Sequence, residues 1–324
     1  MMHPSLDDLP DLWEEVYELV SQVPEGMVTT YGEVAKALGD SIAARFVGLA
    51  MSMNTDVARV PCRRVVRSNG GLGGYTSPKG VAEKARLLKN EGITIRNGRV
   101  ADLERHLFTS FQSSEPLRLL RKRQRALKSQ VAAPVSDIEI DRVVGMDVSY
   151  GTDRAFASMV VFDARSGSVI AERAVATRAV FPYIPTYLAF RELPLIAPLA
   201  ALVEDGTVVM YDGNGILHPE KFGIASHAGV AFDLPTIGVA KRLLCGRVDT
   251  HASEGASRVT LDGEVLGYAY SRHSRSPVYV SPGNGISQAQ ALLTVMAFTK
   301  HRIPQPIRAA HKLANEARRS AINK

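Results

Sequence analysis

Cysteine is scarce in this 324-residue chain, which has Cys62 and Cys245 and no others. Two thiols make no disulfide framework and no CxxC-type zinc site, and they fit a reducing, intracellular compartment. No run of eighteen apolar residues occurs, and the stretch from Met1 to Pro10 has no basic, apolar leader, so neither a membrane span nor a secretory signal is expected. Internal repeats and low-complexity tracts are also missing. The expectation is a soluble, cytoplasmic monomer without a membrane partner.

What is present points to two domains. Hydrophobic residues make up 45% of the chain, enough for ample core, and the length favours two units over one. The net charge of +6 is unevenly placed. Residues 1–108 hold 13 basic against 14 acidic side chains, whereas Arg118 to Lys128 holds six basic residues and no acid. Such a stretch suits phosphate contacts, or else forms a solvated helix face. The Ser-rich, weakly apolar run from Thr109 to Pro116 reads as a linker. The expected division is 1–108, a linker at 109–116, and 117–324.

The first part reads as mostly helical with a winged turn. Asp11-x-x-Glu14 is a capping box ahead of Leu12, Val16, Tyr17 and Val20, which share one helical face. Thr30-x-x-Glu33 repeats the signal before a short helix to Leu38, Gly39 stops it, and Ser41 is the expected cap of a helix reaching Met51. Two short helices with a glycine in the turn form a helix-turn-helix. Its second helix offers Ser41, Ala43, Ala44 and Arg45, small residues that permit close approach but read few base edges.

Cys62 lies in Val60-Pro61-Cys62-Arg63-Arg64-Val65-Val66. Tyr31 in Thr30-Tyr31-Gly32 precedes Arg45 by fourteen residues, Asn54 stands eight before Cys62, and Ser68 through Tyr75 supply a glycine-rich run. Leu87 through Gly92 complete the pattern. Residues 28–91 thereby resemble the DNA-binding domain of alkylguanine-DNA alkyltransferases, which move an alkyl group from the 6-oxygen of guanine to a cysteine. The resemblance implies that Cys62 is the nucleophile, that Arg45 fills the gap left by a flipped base and Tyr31 helps extrude it, and that Tyr75 walls the pocket. It also implies that Asn54 and Arg63 belong to the DNA-binding set and that Glu91 is the acid of a proton relay. The family places a histidine where Arg63 stands, and a guanidinium is no acceptor and no general base. Arg63 can instead pair with Glu91 and favour a thiolate electrostatically.

From Pro116 onward the pattern changes to α/β with a mixed sheet. Val143 to Tyr150, Ala155 to Phe162 and Ser168 to Val175 read as an antiparallel meander, with further strands at Thr207 to Tyr211 and Leu234 to Val239. Tyr187 to Val203 and Ser287 to Thr299 read as long helices, and Pro306 suits the first turn of another through Arg319. Asp147 and Asp212 are expected to end two strands of one sheet, and with Glu192 they offer hard oxygen ligands for Mg²⁺ or Mn²⁺.

Around those acids stand Phe181-Pro182-Tyr183-Ile184-Pro185, Phe190-Arg191-Glu192, Asp212 through Pro219, Gly223 through His227 and Ile237 through Lys241. In that order the segments resemble endonuclease V, a ribonuclease H-like nuclease that nicks DNA near deaminated purines, over residues 117–320. The resemblance implies Asp147, Glu192 and Asp212 as metal ligands, Lys241 as stabiliser of the transition state, and His311 near the metal. It also implies Tyr183 as a wedge where hypoxanthine leaves the stack. His218 and His227 support the pocket, His218 being counted with the DNA-binding residues, and Gly213 and Gly215 allow a tight turn. Thr186 stands where the family has glycine, and Asn284 where histidine is common.

The implied function is a bifunctional repair protein acting on double-stranded DNA that contains alkylguanine or deoxyinosine, with a cut 3′ to the deaminated purine. Two alternatives stay open: a nuclease joined to an alkylguanine sensor that transfers nothing, and a nuclease directed at inosine in RNA.

Overall fold

The computed structural model describes Leu6, Asp8 and residues 9–134, 136–151, 154–178, 180–249, 255–272 and 276–322. Two compact units emerge, a largely helical one formed by Leu9–Lys122 with Phe181–Tyr187, and an α/β one formed mainly by Arg123–Val180 and Leu188–Lys324.

In the first unit, α1 (Leu12–Ser21) begins where Asp11 Oδ1 accepts the backbone N–H groups of Trp13 at 3.0 Å and Glu14 at 3.2 Å. This satisfies donors that the helix start leaves without partners. Its buried face is Leu12, Val16, Leu19 and Val20. Strand β1 (Thr29–Thr30) leads into α2 (Tyr31–Ala37), capped by Thr30 Oγ1 accepting from Glu33 N–H at 3.1 Å. Gly39, with φ +100°, ends α2 in a conformation that glycine tolerates best. Asp40, and not the expected Ser41, then caps: its Oδ1 accepts the N–H of Ile42 at 3.1 Å ahead of a 3₁₀ turn and α3 (Ala44–Met53). A carboxylate is the stronger acceptor for a helix start.

Strand β2 (Val65–Val66) pairs in parallel with β1. There follow α4 (Gly80–Asn90), the hairpin β3 (Ile95–Arg96) and β4 (Arg99–Val100), α5 (Leu103–His106) and α6 (Pro116–Leu127). The stretch expected to be a linker is irregular but held. Gln22 Nε2 donates to Gln112 O at 2.9 Å, its Oε1 accepts from Gln112 N–H at 2.8 Å, and the Ser113 hydroxyl donates to Ala37 O at 2.5 Å.

In the second unit, the chain runs through β5 (Arg142–Tyr150), β6 (Ala155–Asp163), β7 (Val169–Thr177), α7 (Leu188–Ala200), β8 (Thr207–Asp212), α8 (Ile224–Phe232) and β9 (Thr236–Ala240). It continues with β10 (Arg247–Val248), β11 (Ala256–Leu261), β12 (Glu264–Tyr270), β13 (Val278–Asn284), α9 (Gln288–Ala297) and α10 (Gln305–Ile322). The strands form one nine-stranded sheet in the order β10-β11-β12-β13-β9-β8-β5-β6-β7. Pairs β5–β8 and β8–β9 are parallel and the others antiparallel, so the sheet is mixed. Its core joins Val143, Val208, Met210, Ile237 and Val280 from the strands to Val295 of α9, Phe298 at its C-terminal cap, and Ile307 and Ala310 of α10.

The meander formed as expected, while three readings need correction. Asp147 does not end its strand: β5 continues to Tyr150 because Asp147 through Tyr150 keep their ladder with β6. Strands β10 to β13 went unread because polar and charged residues interrupt their apolar positions, as in Ser257-Arg258 of β11. Gly213 and Gly215 are not left-handed turn residues; a Cβ on Gly215 would stand 2.0 Å from Pro282 O, and one on Gly213 2.5 Å from a methyl of Ile224. Space, and not a positive φ, requires glycine there.

Helix α10 crosses β5 with no side chain between the backbones at Gly145, where a Cβ would stand 2.0 Å from Pro306 O. Gly145→Ala should therefore force the helix off the sheet and destabilise the second unit by about 3 kcal/mol, at the upper end of overpacking costs. Far-UV circular dichroism during thermal melting would show it. The transition of the first unit, followed through the single tryptophan, Trp13, should stay put.

Candidate functional site

The first unit holds a cavity of about 220 Å³ lined by Tyr31, Gly48, Met51, Ser52, Cys62, Gly74, Tyr75 and Thr76. Three of the residues singled out from the sequence, Cys62, Tyr31 and Tyr75, thus share one pocket. Cys62 opens a short 3₁₀ turn with Arg63 and Arg64, and its backbone N–H reaches Val60 O at 2.7 Å. Asn54 supports that loop, with Nδ2 donating to Val60 O at 2.9 Å and Oδ1 accepting from Asp56 N–H at 3.0 Å. The glycine-rich run passes against Tyr31: a Cβ on Gly73 would stand 3.1 Å from the tyrosine hydroxyl. The Thr76 hydroxyl donates to Ser52 O at 3.3 Å, tying the far side of the pocket to α3. Arg45 is not among the lining residues; it is exposed on α3.

Glu91 is held by two guanidinium groups. Arg63 Nε donates to its Oε1 at 2.5 Å and Arg64 Nε to its Oε2 at 2.8 Å. Burial alone would raise the pKa of Glu91, but the hydrogen bonds from Arg64 and Arg63 outweigh it and hold the carboxyl below the usual range. An ionised carboxylate with both oxygens engaged relays no proton. Lys84 was missed in the sequence, although it falls with Leu88 on the buried stripe of α4, where a charge is out of place. Its ammonium donates to Val65 O at 2.6 Å, and burial pushes its pKa down to about 8, partly countered by the charge of Cys62.

In the second unit, Met146 pairs with Tyr211 across parallel strands, so the next residues, Asp147 and Asp212, come at one level on neighbouring strands. Glu192 faces them from α7. Burial first, and then the charges of Asp147 and Asp212, push the Glu192 carboxyl up to about 8. Asp147 is raised as well, by burial above all, against the hydrogen bond from His311. His311 Nδ1 is 2.8 Å from Asp147 Oδ2, Asn315 Nδ2 is 3.0 Å from His311 Nε2, and the Ser149 hydroxyl is 3.0 Å from Asn315 Oδ1. The Lys241 ammonium pairs with Asp212 Oδ2. The Arg191 guanidinium lies 4.0 Å from the centre of the Tyr150 ring.

Three neighbouring carboxylates, of which Glu192 and Asp147 are raised by burial and in part by the charge of the others, with Lys241 paired to Asp212, form a donor set suited to a hard divalent cation. Among the described residues, no three His, Cys, Asp or Glu side chains stand converged as a finished metal cage. The acids are close enough to interact without being closed around a point.

The remaining expected residues are placed as follows. Tyr183 is exposed. His218 is buried, with Nδ1 accepting from Glu220 N–H at 3.2 Å, and so braces a turn. His227 lies between the rings of Phe190 and Phe222, at 5.1 and 5.2 Å. Asn284 ties chain segments together, accepting from Ala132 N–H at 2.7 Å and donating to Gly229 O and Leu234 O. Of the basic helix, Arg118 pairs with Glu115, Arg121 with Asp40 and Arg125 with Glu220.

Two known families match this chain: Endonuclease V over residues 124–312, and the DNA-binding domain of 6-O-methylguanine DNA methyltransferase over residues 11–93. A bifunctional methyltransferase/endonuclease of Picrophilus torridus is 39% identical over 312 residues, 96% of this chain and 98% of that one. The crystal structure of endonuclease V from Streptomyces avermitilis is 35% identical with a TM-score of 0.57, covering 62% of this chain and 92% of that one. Endonuclease V from Ciona intestinalis, solved with a 24mer DNA containing an inosine followed by a ribo-adenosine, is 26% identical with a TM-score of 0.59. It covers 64% of this chain and is itself covered completely, at 100%.

The charge on Lys84 yields a pH test. Its folded pKa of about 8 lies below the unfolded value near ~10.4, so between the two the unfolded chain binds a proton that the folded chain lacks, and stability rises with pH. Lys84→Met lacks that slope. Its stability relative to the parent, read by urea unfolding at Trp13, should fall by about 3 kcal/mol from pH 7 to above pH ~10.4.

Proposed function

Since the chain belongs to the family of bifunctional methyltransferase/endonucleases, we propose that it repairs DNA by two separate chemistries, alkyl transfer to Cys62 and hydrolysis of a phosphodiester 3′ to deoxyinosine. The observation that supports this reading is that Cys62 lies in one pocket with Tyr31 and Tyr75 in one unit, while Asp147, Asp212 and Glu192 are near enough to interact in the other. The finer assignments are a winged helix-turn-helix domain at 1–108, a linker at 109–116, and a ribonuclease H-like domain at 117–324. We place the protein in the cytoplasm as a monomer.

In the first chemistry, Arg45 enters the duplex and the alkylguanine turns into the pocket between Tyr31 and Tyr75. The Cys62 thiolate attacks the alkyl carbon; an S–C bond forms, the C–O6 bond breaks, and the released guanine takes up a proton. Arg63 and Arg64 occupy Glu91, so no general base stands in this trio. Positive charge near the thiol comes from Lys84, which interacts electrostatically with Cys62, and from Arg63 and Arg64, which follow it in the same turn. After incubation with a methylguanine duplex, intact-mass analysis should show one methyl group gained, mapped to Cys62. The engagement of Glu91 also favours a second reading, a sensor that flips alkylguanine without accepting the group, and an unchanged mass would select it.

In the second chemistry, Asp147, Glu192 and Asp212 would hold Mg²⁺ or Mn²⁺. A bound ion of this kind supplies an activated water and stabilises the leaving oxygen. His311, fixed by Asn315 and Ser149, orients the Asp147 carboxylate. Lys241 is at hand to balance charge on the phosphate as it builds. Tyr183 wedges into the stack that hypoxanthine vacates, and His218 braces the loop beside the flipped base. The Ciona intestinalis relative was solved with a DNA in which a ribo-adenosine follows the inosine, and an inosine-containing strand with a ribonucleotide at that place is a second candidate substrate.

Asp147→Asn should lower nicking of an inosine duplex by at least about 10³-fold while leaving binding within about threefold, since charge at the reacting centre is lost and the DNA contacts are not. Gel assays of nicking and binding on the same duplex check both.

A further inference from the structure

We infer that Asp40, Arg121 and Tyr187 form a strut that sets the Tyr183 wedge for entry into an inosine-containing duplex, making these three positioning residues for the nuclease reaction. The inference rests on the wedge role of Tyr183 proposed above.

The segment Phe181–Tyr187 packs within the first unit. Tyr183 is 57% exposed, so burial does not hold its ring. Four residues along, Tyr187 is 1% exposed and donates its hydroxyl to Asp40 Oδ2 at 2.8 Å, with Leu117 O at 3.2 Å. Arg121 closes the arrangement. Its Nη2 donates to the same Asp40 oxygen at 3.0 Å and to Thr186 Oγ1 at 2.6 Å, and its guanidinium lies 4.2 Å from the centre of the Tyr187 ring. One carboxylate oxygen thus gathers a guanidinium and a phenol, both charge-assisted bonds in a part-buried setting. The other oxygen of Asp40 caps the entry to α3, the helix that carries Arg45.

Thr186 bears on the same point. It sits at φ +67°, where glycine is at ease and threonine is strained. Threonine adds the hydroxyl that Arg121 grips. A wedge that unstacks bases works against the duplex, and a loop held beforehand loses less freedom when it enters. Pro182 and Pro185 stiffen the loop around Tyr183, while the strut fixes where the loop is rooted.

The test uses the full-length protein and a duplex with 2-aminopurine beside the inosine, read as fluorescence without divalent metal and as nicking with Mg²⁺. Asp40→Asn keeps an acceptor for the Ile42 N–H and loses the charge; Tyr187→Phe keeps the ring and loses the hydroxyl. Each should lower both the unstacking signal at saturating protein and kcat by about tenfold, the worth of one charge-assisted hydrogen bond. Thr186→Gly, which relieves the backbone, should lower them less. A purely structural role would lower the melting temperature and leave the saturated fluorescence unchanged. If Tyr183→Ala suppresses unstacking while Asp40→Asn and Tyr187→Phe match the parent, the strut is refuted and the wedge stands. If Tyr183→Ala itself matches the parent, the wedge reading fails.

Discussion

The contact at Gly145, where the backbone of α10 lies directly on β5, governs the architecture of the nuclease unit. From Gly145 to Asp147 is about 6.6 Å along a strand, and from Pro306 to His311 about 7.5 Å along a helix. The two elements therefore advance together, and Asp147 meets His311 one step beyond the contact. The next step, from Asp147 to Ser149 and from His311 to Asn315, again matches, at about 6.6 and 6.0 Å, and yields the hydrogen bond between Ser149 and Asn315. A side chain at 145 would lift the helix and break the register at every later step. The orientation of Asp147 thus depends on a residue with no chemistry of its own.

Both sites are built from charge removed from water, and they handle it in opposite ways. In the first unit, one carboxylate is gripped by two guanidinium groups, and a buried ammonium stands beside the cysteine. The balance of these groups is positive. In the second, three carboxylates face one another with Lys241 on one and His311 on another, and the excess is negative. Such an arrangement is costly without a cation, which is the physical reason for reading it as a metal site. The overall charge of +6 shows neither feature, because each is local.

Residue order revealed more of the site than of the fold around it. Cys62, Tyr31 and Tyr75 could be joined because motif spacing marks them, and they line one cavity. Asp147 and Asp212 could be paired because each follows an apolar run, and the parallel register sets them level. Lys84 could not be found that way, since its significance lies in its burial, and a lysine in a charged helix reads as solvated. Asp40 was passed over for a similar reason. A capping signal next to Ser41 is locally ambiguous, and the partners that give Asp40 its other role lie at Arg121 and Tyr187, far along the chain. Strands β10 to β13 were lost because polar and charged residues interrupt their apolar positions, and β10 is exposed at both residues.

The replacement of histidine by Arg63 changes the way in which the cysteine can be made reactive. A histidine between thiol and carboxylate moves a proton, and its partner acid must be free to accept. Here Glu91 is below its usual pKa and bonded through both oxygens to guanidinium groups, which disfavours its taking up a proton. Arg63 in turn is committed to Glu91 and cannot follow the reaction. What remains is the charge of Lys84, which interacts with Cys62, and the arginine pair next to the cysteine in the same turn. Charge fixed in this way needs no rearrangement when substrate arrives. Of the cations in this group, Lys84 is the one whose pKa burial brings down to about 8, so its charge is the one sensitive to pH in that range.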